Sequence, residues 1–221
     1  MSGPVFGVAI TSTSNLPPDS GEYRTAAQVH ADYQAGINTI SLNNIQHHFF
    51  FNITHPACGV GCEFDQFDST VDADLTFNGS PQGHIALPGQ VLVVVFNKNV
   101  GSPGTPFATE MLQLNLSGMT PLGPVMIRES PTLASTGQTR IDDLGNGSFR
   151  IDSFFDVFTE LSVDGGQSWI PQSNGPSRVN LEEAVPEPGT LLLVGTVLLG
   201  LGVFPRRLRH VRCGRTWPRL P

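Results

Sequence analysis

Thr70-Val71-Asp72-Ala73-Asp74-Leu75-Thr76-Phe77, followed by Asn78-Gly79, decides how the chain is read. In an extended backbone Val71, Ala73, Leu75 and Phe77 point to one side and Thr70, Asp72, Asp74 and Thr76 to the other. That alternation marks a strand with one face in a core and one in solvent. Asn78-Gly79 then supplies the two residues that tolerate positive φ and close a tight hairpin.

Working outward, residues 91–96 form a continuous apolar run, as expected of a central strand buried on both faces. Residues 101–106 read as a loop. Leu112, Leu114 and Leu116 alternate with Gln113 and Asn115, giving a half-buried strand, and short strands follow at 125–128 and 138–141. Residues 37–53, rich in Ile and Phe, read as one or two strands. On a strand the adjacent His47 and His48 face opposite ways, so they cannot chelate one ion together. Phe149, Phe154, Phe155 and Phe158 make the densest aromatic cluster, between residues 149 and 163.

One segment departs from the β pattern. Thr25 is a suitable N-cap, Gln28 stands at the capping-box position and Gly36 is a suitable stop, which predicts a short helix over 26–35. An edge strand with Val29, Ala31 and Tyr33 on one face competes for the same residues. The expected body is all-β: a single antiparallel β-sandwich over residues 25–181, with one short N-terminal helix. Its expected core contains Val71, Leu75, Val93, Val95, Leu114, Phe155, Val157 and Leu161.

The 221-residue chain carries a formal charge of −7, and the charge is unevenly placed. Up to Val185 there are six basic and eighteen acidic residues, a balance that repels nucleic acid and anionic lipid. The six remaining arginines follow residue 204. Among them Arg206, Arg207 and Arg209 flank an apolar run over 191–204 that has no charge, and Val185, Pro186, Glu187 and Pro188 precede it. The prolines lack N–H donors and keep the chain extended, so no helix runs back through them. The arginines favour a cytoplasmic end, which puts the body on the other side of the membrane.

A Pro-Glu-Pro triplet, an apolar helix and an arginine cluster, in that order, resemble the PEP-CTERM sorting signal of exported bacterial proteins. The resemblance implies an exosortase-type membrane protease as partner, which cuts at or near Val185–Pro188. It also implies an inner-membrane precursor, lipid contact through residues 190–204, delivery to the cell surface, and a Gram-negative host that makes extracellular polysaccharide, itself a further partner. On this reading residues 1–24 are disordered or the remnant of a leader, because 1–10 show no basic region and too short an apolar core. Residues 182–189 are a linker, and residues 190–221 are a C-terminal transmembrane helix with its basic tail.

In an exported protein Cys58 and Cys62, in Cys-Gly-Val-Gly-Cys, are disulfide candidates, since the glycines let a small loop close. His55 is nearby, but no further Cys or His pair at zinc spacing follows, so no metal is expected there. Residues 162–169 are similar to the Asp-box of sialidases and related propellers. In that motif Ser162, Asp164, Gly166 and Trp169 would shape a hairpin turn, a structural role. One copy cannot build a propeller, whose blades repeat. No metalloprotease, serine-hydrolase, phosphate-loop or dinucleotide fingerprint is present, and Asp142-Asp143 read as loop carboxylates. No cofactor is expected. The expected function is therefore that of a non-enzymatic surface or matrix protein. A secreted hydrolase acting on polysaccharide and a simple tail-anchored protein are the alternatives.

Overall fold

Alternating segments bury one face each, and in this chain they do so by closing on themselves. The computed structural model describes residues 7–18, 21–26 and 28–183. In chain order the strands are β1 (Gly7–Thr11), β2 (Gly21–Thr25), β3 (Ala31–Ala35), β4 (Asn38–Thr54), β5 (Cys62–Phe77), β6 (Ser80–Phe96) and β7 (Val100–Gly101). They continue with β8 (Phe107–Thr120), β9 (Gly123–Glu129), β10 (Ser135–Gly145), β11 (Ser148–Val157), β12 (Thr159–Ser162), β13 (Ile170–Pro171) and β14 (Ser177–Glu183).

Eight of them form a continuous antiparallel ring: β8, β6, β5, β4, β2, β14, β11, β10 and back to β8. The closing seam pairs Phe107–Met111 of β8 with Ser135–Thr139 of β10. The expected sandwich is thus corrected to an eight-stranded barrel. The sequence pattern fixes which face is buried, but a sandwich and a closed sheet share that pattern. Two features favour closure. The long strands carry register shifts, for instance between Leu92 and Val93 of β6 against β8, and such bulges add bend and twist. β8 is also shared: its first half seals the ring, while Asn115–Thr120 pairs β9, which carries β12 and β13 as a short extension.

The predicted N-terminal helix is absent, and among the described residues there is no helix. Ala31–Ala35 is β3, paired with Asn38–Leu42 across a turn at Gly36-Ile37 in which Gly36 has φ +65°. Alternation outweighs the helix signals here: Ala31 and Tyr33 are buried, and Tyr33 is tied by its hydroxyl to Thr159 Oγ1 at 2.5 Å. Gly36, which suits a helix stop, suits a hairpin equally. The predicted transmembrane helix at 190–204 lies outside the described residues, and among those described no helix is long and apolar enough to cross a membrane.

The barrel interior is the core. All eight expected core residues are buried, joined by Leu87, Val91, Leu116, Ile141, Ile151 and Leu181. β6 runs unbroken through Pro81 and Pro88, which lie where β5 is its only ladder partner; pairing with β8 begins at Gly89. A missing N–H is tolerated on an unpaired edge of this kind.

Candidate functional site

β5 sets the geometry of the interior. Its inward positions are Asp65, Phe67, Ser69, Val71, Ala73 and Leu75, all buried. Two of them are polar, and each is met by a polar group from β4 or the loop beyond it. His47 of β4 is buried, with Nε2 2.7 Å from Ser69 Oγ, and its ring packs against Phe50 and Phe67. Burial holds the imidazole neutral and lowers its pKa to about 3. Across the barrel the Tyr23 hydroxyl donates to Ser153 Oγ at 2.9 Å, which lies 2.8 Å from Thr139 Oγ1. Burial raises the Tyr23 phenol, keeping it protonated as a donor. Among the described residues, cavities of about 30 and 60 Å³ lie in the interior, the first lined by Tyr23, His47, Asp65 and Phe67 and the second by Tyr33, His47 and Leu114. Both are large enough for water and too small for a drug-sized ligand.

At the end of the β4–β5 hairpin the polar groups gather. Cys58 and Cys62 form a disulfide with Cα atoms 5.3 Å apart, closing the loop that links the strands. The same loop is held by an Ala57–Glu63 bridge and by the Asn97 amide donating to Gly61 O at 2.7 Å. His55 is thereby laid over β5. Its Nδ1 is 2.7 Å from Asp65 Oδ1 and 3.8 Å from Glu63 Oε1, and the Lys98 ammonium donates to Glu63 Oε1 at 2.8 Å. One donor atom from each of His55, Glu63 and Asp65 lies within 4.8 Å of the others. The Asp65 side chain is only 1% exposed, and its Oδ2 is buried without a hydrogen-bond partner. Burial raises the Asp65 carboxyl to about 6, whereas Lys98 helps hold Glu63 below the usual range.

Two further groupings lie elsewhere. Asp72 Oδ2 is 3.2 Å from His48 Nε2 and 3.6 Å from His84 Nε2, with Asp74 on the other nitrogen of His84, so the His47–His48 pair is split between interior and exterior. A groove beside the β8–β10 seam is lined by Glu110, Glu129 and residues 130–134, and burial raises the Glu129 carboxyl.

The Asp-box-like residues form the turn between β12 and β13. Asp164 Oδ1 accepts from Ser162 Oγ at 2.7 Å and from the amides of Gln167 and Ser168 at 3.0 Å, while the Gly166 amide donates to Ser162 Oγ at 2.9 Å. These donors, led by Ser168, hold the Asp164 carboxyl down at about 2. The Arg128 guanidinium stacks 4.1 Å over Trp169. The Ser162 and Ser168 hydroxyls and both Asp164 carboxylate oxygens are engaged within the turn, which gives these residues a structural role.

Sequence reasoning set His55 aside for want of more cysteines or histidines. The missed signal was Glu-x-Asp at 63 and 65, two carboxylates at the i, i+2 spacing that puts them on one face of a strand. Val185, Pro186, Glu187, Pro188, Arg206, Arg207 and Arg209 lie outside the described residues.

The last described strand, β14, runs to Glu183. Residues 184–207 match the family model described as the PEP-CTERM protein-sorting motif. The chain carries that motif. The match takes in the Pro-Glu-Pro triplet, the apolar run, Arg206 and Arg207, and Arg209 falls just beyond it. Such a motif implies a membrane-associated precursor that an exosortase processes for export to the cell surface. Neither a curated protein nor a solved structure matches the chain.

Proposed function

We propose that the β-barrel body is a non-enzymatic module that the PEP-CTERM motif delivers to the envelope or the extracellular polysaccharide layer, with cleavage at or near Pro186-Glu187-Pro188. One observation carries this reading: the sorting match starts at residue 184, directly after the last barrel strand ends at Glu183, so removing the tail leaves every strand of the ring in place. The excess of acidic over basic residues in the body, eighteen against six up to Val185, suits a solvated surface that itself repels anions.

The test is fractionation in an exosortase-bearing host. Wild-type chain is expected to be shortened and to leave the membrane. The triple Pro186→Ala, Glu187→Ala, Pro188→Ala variant is expected to stay full-length in the membrane fraction. If both stay full-length in the membrane, the plain anchor replaces the sorting reading; if both are shortened alike, processing does not depend on the triplet. The hydrolase reading has one observation of its own, the Glu110–Glu129 groove with its raised Glu129 carboxyl, a pattern shared with general acids. Polysaccharide cleavage that is lost in Glu129→Gln would replace the non-enzymatic reading.

A further inference from the structure

We propose that His55, Glu63 and Asp65 form a binding site for a first-row divalent metal ion of the zinc type at the mouth of the barrel. The donors are one imidazole nitrogen and two carboxylates, a set that suits such ions better than calcium or magnesium. Their spacing fits. In a tetrahedral site with bonds of about 2.0–2.1 Å, neighbouring donors stand roughly 3.3–3.5 Å apart. The observed separations from His55 Nδ1, 2.7 Å to Asp65 and 3.8 Å to Glu63, bracket that value, and all three donors lie within 4.8 Å of one another.

A cluster of polar side chains alone proves little, and two features set this one apart. Asp65 is a buried carboxylate on an inward barrel position, and its Oδ2 has no partner. An unsatisfied buried carboxylate oxygen costs stability, and a directly coordinated cation is one of the few groups that offsets it. The frame is also rigid. Glu63 and Asp65 sit on one face of β5, and the Cys58–Cys62 bridge closes the loop that follows His55. Exposure falls from His55 and Glu63, each about one third exposed, to Asp65, which gives an ion a path from solvent to the buried ligand.

Lys98 occupies the cation's place on Glu63. Metal binding would move the Lys98 ammonium to solvent and take the place of the His55 Nδ1–Asp65 Oδ1 hydrogen bond, and water would complete the coordination. Lys98 is therefore a competitor, and its removal should tighten binding.

The experiment is zinc titration by calorimetry of the full-length, disulfide-intact chain, freed of metal with a chelator. Cobalt absorption would report the coordination sphere. The expected result is one saturable site, weakened at least about tenfold by His55→Ala and by Asp65→Asn and tightened severalfold by Lys98→Gln. The gain in Lys98→Gln cannot come from misfolding, so it separates lost ligands from a lost fold. Absence of saturable binding in both wild type and Lys98→Gln would overturn the proposal. Binding that survives His55→Ala and Asp65→Asn unchanged would also overturn it, by placing the ion elsewhere, for example at His48, Asp72 and His84.

Discussion

His47 shows how far a single residue can be read. Its place on a strand beside His48 is enough to send the two rings to opposite faces. Its partner Ser69 is 22 residues away, and only the β4–β5 register reveals it. The same holds for Asp65, an ordinary strand aspartate until the ring closes around it. Burial makes His47 a source of acid lability. Folded, its pKa is about 3, against 6.5 when free, so below pH 6.5 the unfolded chain binds a proton that the folded chain refuses. Stability therefore falls as pH drops from about 6.5 toward 3, by up to about 1.4 kcal/mol per pH unit from this group. His47→Gln keeps a polar group near Ser69 and removes the titration. Urea denaturation at pH 7, 6, 5 and 4 should show wild type losing ground steadily to His47→Gln. Parallel curves for the two would mean that His47 takes up its proton as readily in the folded barrel as in the unfolded chain.

Among the elements, hairpins were easier to read than the state of a short ambiguous segment. Asn78-Gly79 and the turn at 162–169 carry their own chemistry: both residues of the first adopt positive φ, 49° and 76°, and in the second the Ser162 and Asp164 side chains bond to the turn's own backbone. β3 does not: capping residues and alternation overlap in residues 26–35, and the choice was made by a distant partner, Thr159. The turn at 162–169 is the sharper test of local autonomy. β12 and β13 share only two paired positions, so the turn is held chiefly by Asp164. Asp164→Ala should speed amide exchange at Gln167 and Ser168 by roughly tenfold or more, as local opening becomes easier, and leave the barrel strands unchanged. Trp169 fluorescence should shift as its Arg128 stack loosens. The carboxyl stays ionised down to about pH 2, so this turn should survive acidification that strains the interior around His47. Unaltered exchange at 167 and 168 would show that backbone geometry alone maintains the turn.

At the scale of the whole molecule, the all-β class and the buried face were legible, but the closure was not. The eight anticipated core residues are buried because period 2 assigns faces directly. Whether the ends of a sheet meet depends on twist, bulges and the pairing of strands far apart in sequence, none of which alternation encodes. The sorting tail was legible for the opposite reason: its three parts act in linear order and need no fold to be recognised. Closure has a consequence that a sandwich would lack, since a ring has no free edge from which to fray. The β8–β10 seam is its most informative point. Gly137 lies there against both neighbours, and an added Cβ would meet Phe154 O at 2.4 Å, Phe155 Cδ1 at 2.7 Å and Thr109 Oγ1 at 2.7 Å. Because the first of these is backbone, Gly137→Ala must displace a strand, at an expected cost of about 1–3 kcal/mol. If the ring opens as one unit, native-state amide exchange in Gly137→Ala should quicken by a similar factor in β4, β5, β6 and β11 as in β8 and β10. Acceleration restricted to β8 and β10 would show that the seam can part while the remaining sheet stays intact, and closure would then contribute shape to the molecule without cooperativity.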